Sequence, residues 1–292
     1  MRDGGHGYAE DSKKALKKNL KERKIMSLPR ITIVTPSFNQ GEYLEQTIQS
    51  VLSQGYPNLE YMIIDGGSTD GSVEIIRRYE KHLSYWRSHR DEGQTSAIIE
   101  GFQRASGDII AWLNSDDCYE PGTLDTVAQT FQRNREALFV YGDYYVVREN
   151  GAKILKKKVS CDFKVMAYSY LMIPQPSAFW DRKAYEAVGG LDRELKYVMD
   201  YDLFLRFAKM YPATRFIHLR KPLSAFRLHQ ESKSVGSMEK FVPENKRVVA
   251  RILPPQPDWQ KILLKYVYLV KLEAMYLFQR GYLPLHKDRT KA

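Results

Sequence analysis

Asn114-Ser115-Asp116-Asp117 follows directly on the apolar run Ile109-Ile110-Ala111-Trp112-Leu113. Two adjacent carboxylates at the end of a buried strand repel each other and lose hydration, so they need a counter-charge. A hard divalent cation bound through oxygen supplies one and leaves positions open for phosphate oxygens. Held this way, a cation stabilises a diphosphate as a leaving group. The plainer alternative is that the pair caps the helix beyond Pro121. It leaves two ionised groups side by side without a cation.

Two further polar clusters have the same character: Thr35-Pro36-Ser37-Phe38-Asn39 and Asp65-Gly66-Gly67-Ser68-Thr69-Asp70. Each has a structural alternative, with Ser37 or Asn39 as a helix cap and Asp65 as a turn residue. Glycine after Asp65 also suits close approach of the backbone to a ligand.

Positioning these clusters requires strands that end in them, and the hydrophobic pattern supplies such strands. "ITIVTP" from Ile31 is a β-branched run stopped by Pro36, and "LEYMIID" is a second strand. Between them, "EYLEQTIQSVLSQ" places Leu44, Ile48, Val51 and Leu52 on one helical face, ended by Gly55 and Pro57. Val73 to Tyr79 is helical, Tyr85 and Trp86 mark a short third strand, "TSAIIEGFQRA" is helical, and "GDIIAWL" is a fourth strand. Beyond Pro121 the pattern predicts a helix, strands over 138–147 and 153–159, a helix over 199–209, and two strands near 215–219 and 222–228. From about 237 onward it is helical only.

Strands alternating with helices of this length predict an α/β fold, a mostly parallel central sheet flanked by helices. Ligands bind such sheets beyond the carboxyl ends of the strands. The three clusters would therefore meet along one edge, and together they point to a nucleotide site.

The net charge of +10 sits at the ends of the chain. Residues 1–30 hold nine Lys/Arg against four Asp/Glu, residues 236–292 hold eleven against five, and the stretch between holds 25 against 26. The middle is neutral and the basic ends lack interleaved aromatics, which argues against a nucleic-acid binder. Two cysteines without metal-ligand spacing suit a reducing compartment. No signal peptide and no apolar run of bilayer length is visible, so a cytoplasmic location is expected.

Taken together, "ITIVTPSFNQGEYLEQTIQSVLSQGYPNLEYMIIDGGSTDGS" and "GDIIAWLNSDDCYEPGTL" closely resemble the inverting glycosyltransferases of family 2, bacterial polysaccharide-type enzymes with the GT-A (Rossmann-like) fold. The resemblance covers roughly residues 30–235. It implies a basic tail over 1–29, a glycosyltransferase domain over 30–235 and a helical extension over 236–292.

Residue by residue, the resemblance puts Thr35, Pro36 and Asn39 in the first nucleotide loop and Asp65 against the base, with Gly66 where the family has a second Asp. Within "DEGQTSAIIEGFQRASGD" it makes Gly93, Gln94 and Ala97 candidates beneath the sugar diphosphate. Ser115-Asp116-Asp117 matches the DXD-type motif, with Asn114 at a common Asp position. Asp116 would lie near ribose and metal, and Asp117 would be the principal metal ligand. Asp200 in "GGLDRELKYVMDYDLFLR" aligns with the catalytic base, and Met199 replaces a Glu. Asp202 lies about 200° further round a helix and suits an ion pair with Arg206. In "FRLHQESKS", Arg227 or His229 could meet phosphate, and His229 could be a third metal ligand or a structural histidine.

The implied reaction is inverting transfer from a nucleotide-diphosphate sugar, a UDP-sugar first among them, to a hydroxyl, with Mn²⁺ or Mg²⁺ as cofactor. The acceptor would be a saccharide or a lipid-linked saccharide in cell-surface polysaccharide or glycolipid synthesis. A sugar nucleotidyltransferase is the alternative enzyme, but the first loop has no basic residue. A noncatalytic nucleotide-sugar or nucleic-acid-binding protein is the alternative without chemistry. "WQKILLKYVYLVKLEAMYLFQR" (259–280) forms a helix with a broad apolar surface that would pack on the domain or on a second subunit. Alternatively, with the basic ends, it would lie on an anionic membrane at the cytoplasmic face.

Overall fold

The computed structural model describes residues 28–169, 173–229, 232 and 238–279. Most of the basic segment 1–29 therefore lies outside the described residues, as does 280–292.

The first half alternates strand and helix as its pattern requires: β1 (Ile31–Ser37), α1 (Gly41–Leu52), β2 (Leu59–Asp65), α2 (Ser72–Tyr79), β3 (Tyr85–Ser88), α3 (Gln94–Arg104) and β4 (Ile109–Trp112). The second half runs β5 (Cys118–Tyr119), α4 (Thr123–Arg133), β6 (Phe139–Val147), β7 (Lys153–Lys156), α5 (Phe163–Ser169), β8 (Ala178–Asp181) and α6 (Arg182–Ala187). It ends with α7 (Met199–Met210), β9 (Phe216–Arg227), α8 (Met238–Ile252) and α9 (Asp258–Gln279).

One sheet joins the strands in the order β3-β2-β1-β4-β8-β6-β9-β5, with β7 on β6. Its first four strands are parallel. Beyond β4 the pairings mix, with β8 antiparallel to both its neighbours and β6 parallel to β9. The two strands expected near 215–219 and 222–228 are one strand, β9. Its register against β6 shifts around Asp143, opposite Pro222, which has no amide hydrogen to give the ladder. The two-residue β5 and the four-residue β8 are too short to show a hydrophobic period.

Alternation along the strands divides the core between the two faces. Ile31, Ile33, Ile109 and Ala111 pack beneath α1 and α4, while Val34, Ile110 and Trp112 pack beneath α3 and α7. Gly101 lets α3 lie directly on β1, since a Cβ there would fall 2.5 Å from Val34 Cγ1. Val248 and Ile252 of α8 are buried in the same core as α7. Along α9, Tyr268, Leu272, Met275 and Tyr276 pack against that core, and Lys271 pairs with Asp162 at 2.5 Å. Trp259, Ile262, Leu263, Tyr266, Val267 and Val270 of α9 are exposed. Among the described residues, no helix is long and apolar enough to cross a membrane.

Candidate active site

A cavity of about 950 Å³ opens at the carboxyl ends of β1, β2 and β4, where the switch-point rule expects it. Pro36, Gly93, Gln94, Ala97, Ser115, Asp116 and Asp200 line it. Thr35, Asn39, Asp65, Asp117, Arg227 and His229 do not belong to that lining; Thr35, Asp65, Asp117 and His229 are buried, and Asn39 is exposed.

Hydrogen bonds explain the residues outside the lining. Thr35 is fully buried and its hydroxyl meets Tyr61 Oη at 3.1 Å. The Asp65 carboxylate accepts from the Gly67 and Ser68 amides and from the Ser68 and Ser88 hydroxyls at 2.6–3.0 Å, so it shapes its own loop. Asn39, at φ 50°, accepts from the Thr69 amide at 2.9 Å and donates its own amide to Ser68 Oγ at 2.8 Å. It ties the first two loops together rather than capping α1. The α1 amide of Gly41 is satisfied instead by Asp70 at 2.7 Å.

The Asp116-Asp117 loop is held from three sides. Thr47 of α1 donates to the Ser115 and Asp117 carbonyls at 2.9 and 2.7 Å. Pairing of β5 with β9 brings Arg227 alongside, where its amide donates to Asp117 Oδ1 and its guanidinium to the Asp116 carbonyl, both at 3.1 Å. Arg227 also lies over the Tyr43 ring at 4.8 Å. From the third side, Asn114 donates to Asp117 Oδ2 at 3.3 Å and accepts from Gln94 at 2.7 Å.

Asp117 is wholly buried, whereas Asp116 reaches the cavity and meets His229 Nε2 at 3.0 Å. Burial, together with the adjacent Asp116 carboxylate, pushes the Asp117 carboxyl well above the usual carboxylate range. Asp116 presents the cavity with a carboxylate oxygen of the kind a hard cation such as Mn²⁺ or Mg²⁺ takes, while His229 Nε2 is bonded to that carboxylate from behind the lining. Among the described residues no third His, Cys, Asp or Glu joins them, so further ligands would have to come from phosphate or water.

Asp200 sits in the first turn of α7, partly buried on the cavity wall, and its carboxylate accepts from the Tyr201 amide at 2.8 Å. Burial raises its carboxyl from 3.8 to about 6. Asp202 faces away, as the helical period requires. It is fully buried and bound to Arg206 at 2.7 Å and to Arg251 at 2.6 Å.

The structure adds two groups that motif reading did not single out. Asp91 lines the cavity, accepts from the Gly93 amide at 2.8 Å and pairs with Arg87 at 3.1 Å. Its Oδ1 lies 3.5 Å from where a Gly66 Cβ would be, so a carboxylate stands beside the place where the expected second Asp is missing. Gln175 donates to the Trp112 carbonyl at 2.7 Å and accepts from Asn114 at 3.3 Å. The "DEG" turn could have signalled Asp91, but nothing local signals Gln175. Among the described residues, Ser37 Oγ, Gln40 Oε1 and Asn245 Oδ1 are buried without a hydrogen-bond partner, and all three residues line the cavity. Buried polar atoms are normally paired, so these three mark places for ligand polar groups.

Solved structures define the class of fold. This chain resembles S. aureus TarS 1–349 in complex with UDP-GlcNAc with a TM-score of 0.64 at 16% identity, over 82% of this chain and 71% of that one. It resembles the mannosyltransferase PcManGT from Pyrobaculum calidifontis in complex with GDP-Man and Mn²⁺ with a TM-score of 0.59 at 17% identity, over 89% and 78%. The architecture is the GT-A fold. The family model "Glycosyl transferase family 2" matches residues 32–186, a little over half of the chain. The chain belongs to that family. It is 32% identical to the putative teichuronic acid biosynthesis glycosyltransferase TuaG of Bacillus subtilis over 44% of this chain, and spans about half, 52%, of that relative's length. It is 25% identical to the chondroitin synthase of Pasteurella multocida over 75% of this chain and 23% of the relative.

Proposed function

We propose that the protein is an inverting glycosyltransferase that moves a sugar from a nucleotide-diphosphate donor to an acceptor hydroxyl. The observation that carries this reading is one cavity lined both by Asp116 of the DXD-type loop and by Asp200, whose carboxyl is held near neutrality. Family membership supports glycosyl transfer, and the relatives named for teichuronic acid biosynthesis and chondroitin synthesis support a polysaccharide acceptor. The neighbour solved with UDP-GlcNAc supports a UDP-sugar as the first donor to test.

In this mechanism Asp200 accepts the proton of the acceptor hydroxyl as its oxygen attacks the anomeric carbon. The bond from that carbon to the nucleoside diphosphate breaks, and the proton ends on Asp200. Attack comes from the face opposite the leaving group, so the configuration inverts. Gln94 and Asn114 keep the Asp116 loop in place, and Asp91, Ser37 and Gln40 offer polar atoms to the donor. A divalent cation held by Asp116 would supply charge neutralisation for the departing diphosphate.

The test is a thermal-shift panel of UDP-, GDP- and dTDP-sugars with Mn²⁺ or Mg²⁺, followed by proton NMR of the product. A retained anomeric linkage overturns the inverting assignment. Turnover unchanged in Asp200→Asn overturns Asp200 as the base.

The exposed apolar side of α9, with Lys261 and Lys265 on the same helix, supports peripheral attachment to an anionic membrane at its cytoplasmic face. Flotation with anionic liposomes tests this, and failure to float rules it out.

A further inference from the structure

Val198 occupies the N-cap position of α7 and makes no side-chain cap bond, and within the first turn Asp200 accepts from the Tyr201 amide. Amide hydrogens at and ahead of a helix N-terminus need acceptors, and a carboxylate there also complements the helix dipole. For the turn that enters α7 the acceptor comes from α8, about fifty residues further along the chain. The Glu244 carboxylate accepts from the amides of Lys196, Tyr197 and Val198 at 2.9–3.3 Å. These three amides form the turn that leads into Met199 and Asp200.

The rest of α8 is fastened to the same region. Arg251, two helical turns beyond Glu244, binds Asp202 at 2.6 Å and Asp192 at 2.8 Å. Lys209 donates to the Ile252 carbonyl at 2.9 Å, and Tyr197 packs on Phe241 with ring centroids 5.5 Å apart. Helix α8 also faces the cavity directly. Phe241, Val242, Asn245 and Lys246 belong to its lining, and Asn245 Oδ1 is one of its unpartnered buried acceptors. All of these residues lie beyond the stretch matched by the family model, which ends at residue 186.

We infer that α8 is a working wall of the active site, with Glu244 as the positioning residue that holds the incoming turn of α7 and thereby aims Asp200. This rests on the reading of Asp200 as the base. Glu244 touches neither substrate nor the reacting atoms. It acts through three consecutive amides, all of which reach its Oε2, with Oε1 adding a second contact to Lys196. Arg251 holds Asp202 one helical turn beyond Val198, so the two grips from α8 fasten α7 at two successive levels.

The experiment compares the full chain with Glu244→Ala and with Glu244→Gln, which keeps one acceptor oxygen. Hydrogen–deuterium exchange needs no substrate. The amides of 196–198 should exchange at least tenfold faster in the alanine variant and at an intermediate rate in the glutamine variant. With the donor found by the nucleotide-sugar panel, turnover should fall at least tenfold in Glu244→Ala, while donor affinity stays within twofold and Glu244→Gln recovers part of the turnover. Unchanged exchange at 196–198 overturns the brace. Donor affinity falling in parallel with turnover overturns the positioning role, because it signals general loosening of the site.

The failure of the base assignment is distinguishable. If Asp200→Asn keeps its turnover while Glu244→Ala loses it, the base is misassigned and the brace stands. If Asp200→Asn loses turnover and Glu244→Ala does not, the brace inference fails alone.

Discussion

The side-chain amide of Asn114 donates to the buried carboxylate of Asp117 at 3.3 Å, and its oxygen accepts from Gln94 at 2.7 Å. Asparagine at 114 therefore bridges Gln94 and Asp117 as donor and acceptor at once. A carboxylate at 114 would have no hydrogen to give and would add like charge beside an Asp117 carboxyl whose ionisation burial and Asp116 already disfavour. Asn114→Asp should lower unfolding free energy by about 1–3 kcal/mol through the unsatisfied, like-charged contact. Urea denaturation at pH 7 measures this, and an unchanged midpoint would contradict it.

Asp200 sets the acid limit of activity. Its carboxyl is raised to about 6, and the base must be deprotonated, so turnover should fall roughly tenfold per pH unit below that value. The sign for stability is opposite to that of an ion-paired carboxylate. The folded protein holds the Asp200 proton more tightly than the unfolded chain does. Its favourable contribution is full below the ordinary value of 3.8 and is lost as pH rises through about 6. Asp200→Asn should thus be more stable than the parent at pH 8 by about 1–3 kcal/mol, and equal to it near pH 3.5. Denaturation at the two pH values tests the sign.

Asp202 is fully buried between Arg206 and Arg251. Removing it takes the carboxylate from both, although Arg251 keeps Asp192 and Arg206 keeps the Val188 and Gly190 carbonyls, so Asp202→Ala should cost about 2–3 kcal/mol. Arg251→Ala should cost less, about 1–2 kcal/mol, because Arg251 is half exposed and Arg206 still pairs the buried charge. Equal losses in the two variants would contradict the assigned order.

Gly101 is required by contact rather than by backbone conformation. Alanine would gain about 1 kcal/mol of helix propensity, yet its Cβ would meet Val34 Cγ1 at 2.5 Å. Gly101→Ala should therefore destabilise by about 1–3 kcal/mol, and adding Val34→Ala should return part of the loss. A double-mutant cycle by thermal or urea unfolding shows whether the two positions couple.

The proposed cation would be held by Asp116, whose carboxylate reaches the cavity. Titration of UDP should give tighter binding with Mn²⁺ than with EDTA, and Asp116→Asn should remove at least tenfold of that difference. If Mn²⁺ makes no difference to the parent, the cation reading fails.

Much of this protein was legible from its residue pattern. The alternation of short β-branched runs with amphipathic helices located β1 to β4 and α1 to α3, because period 2 and period 3.6 report which side of an element is buried. The same arithmetic separated Asp200 from Asp202. The chemistry of three loops also pointed to one edge, since parallel strands carry their carboxyl ends to the same side.

Tertiary packing decided which polar atoms of those loops reach the cavity. Asp65 and Thr35 turn inward, and exposed Asn39 turns to the neighbouring loop, because amides and hydroxyls contributed by β2, β3 and the loop before α2 engage their oxygens. Asp91, Gln175 and Glu244 enter the site through contacts with residues distant in the chain or through a turn, and no local period encodes such contacts. The brace on the turn entering α7 is the clearest case: 46 residues separate Glu244 from Val198, and only the packing of α8 on α7 brings the carboxylate to the amide. Periodicity fixes the facing of a side chain within its own element, whereas a hydrogen bond between elements exists only once the core has set their distance and rotation.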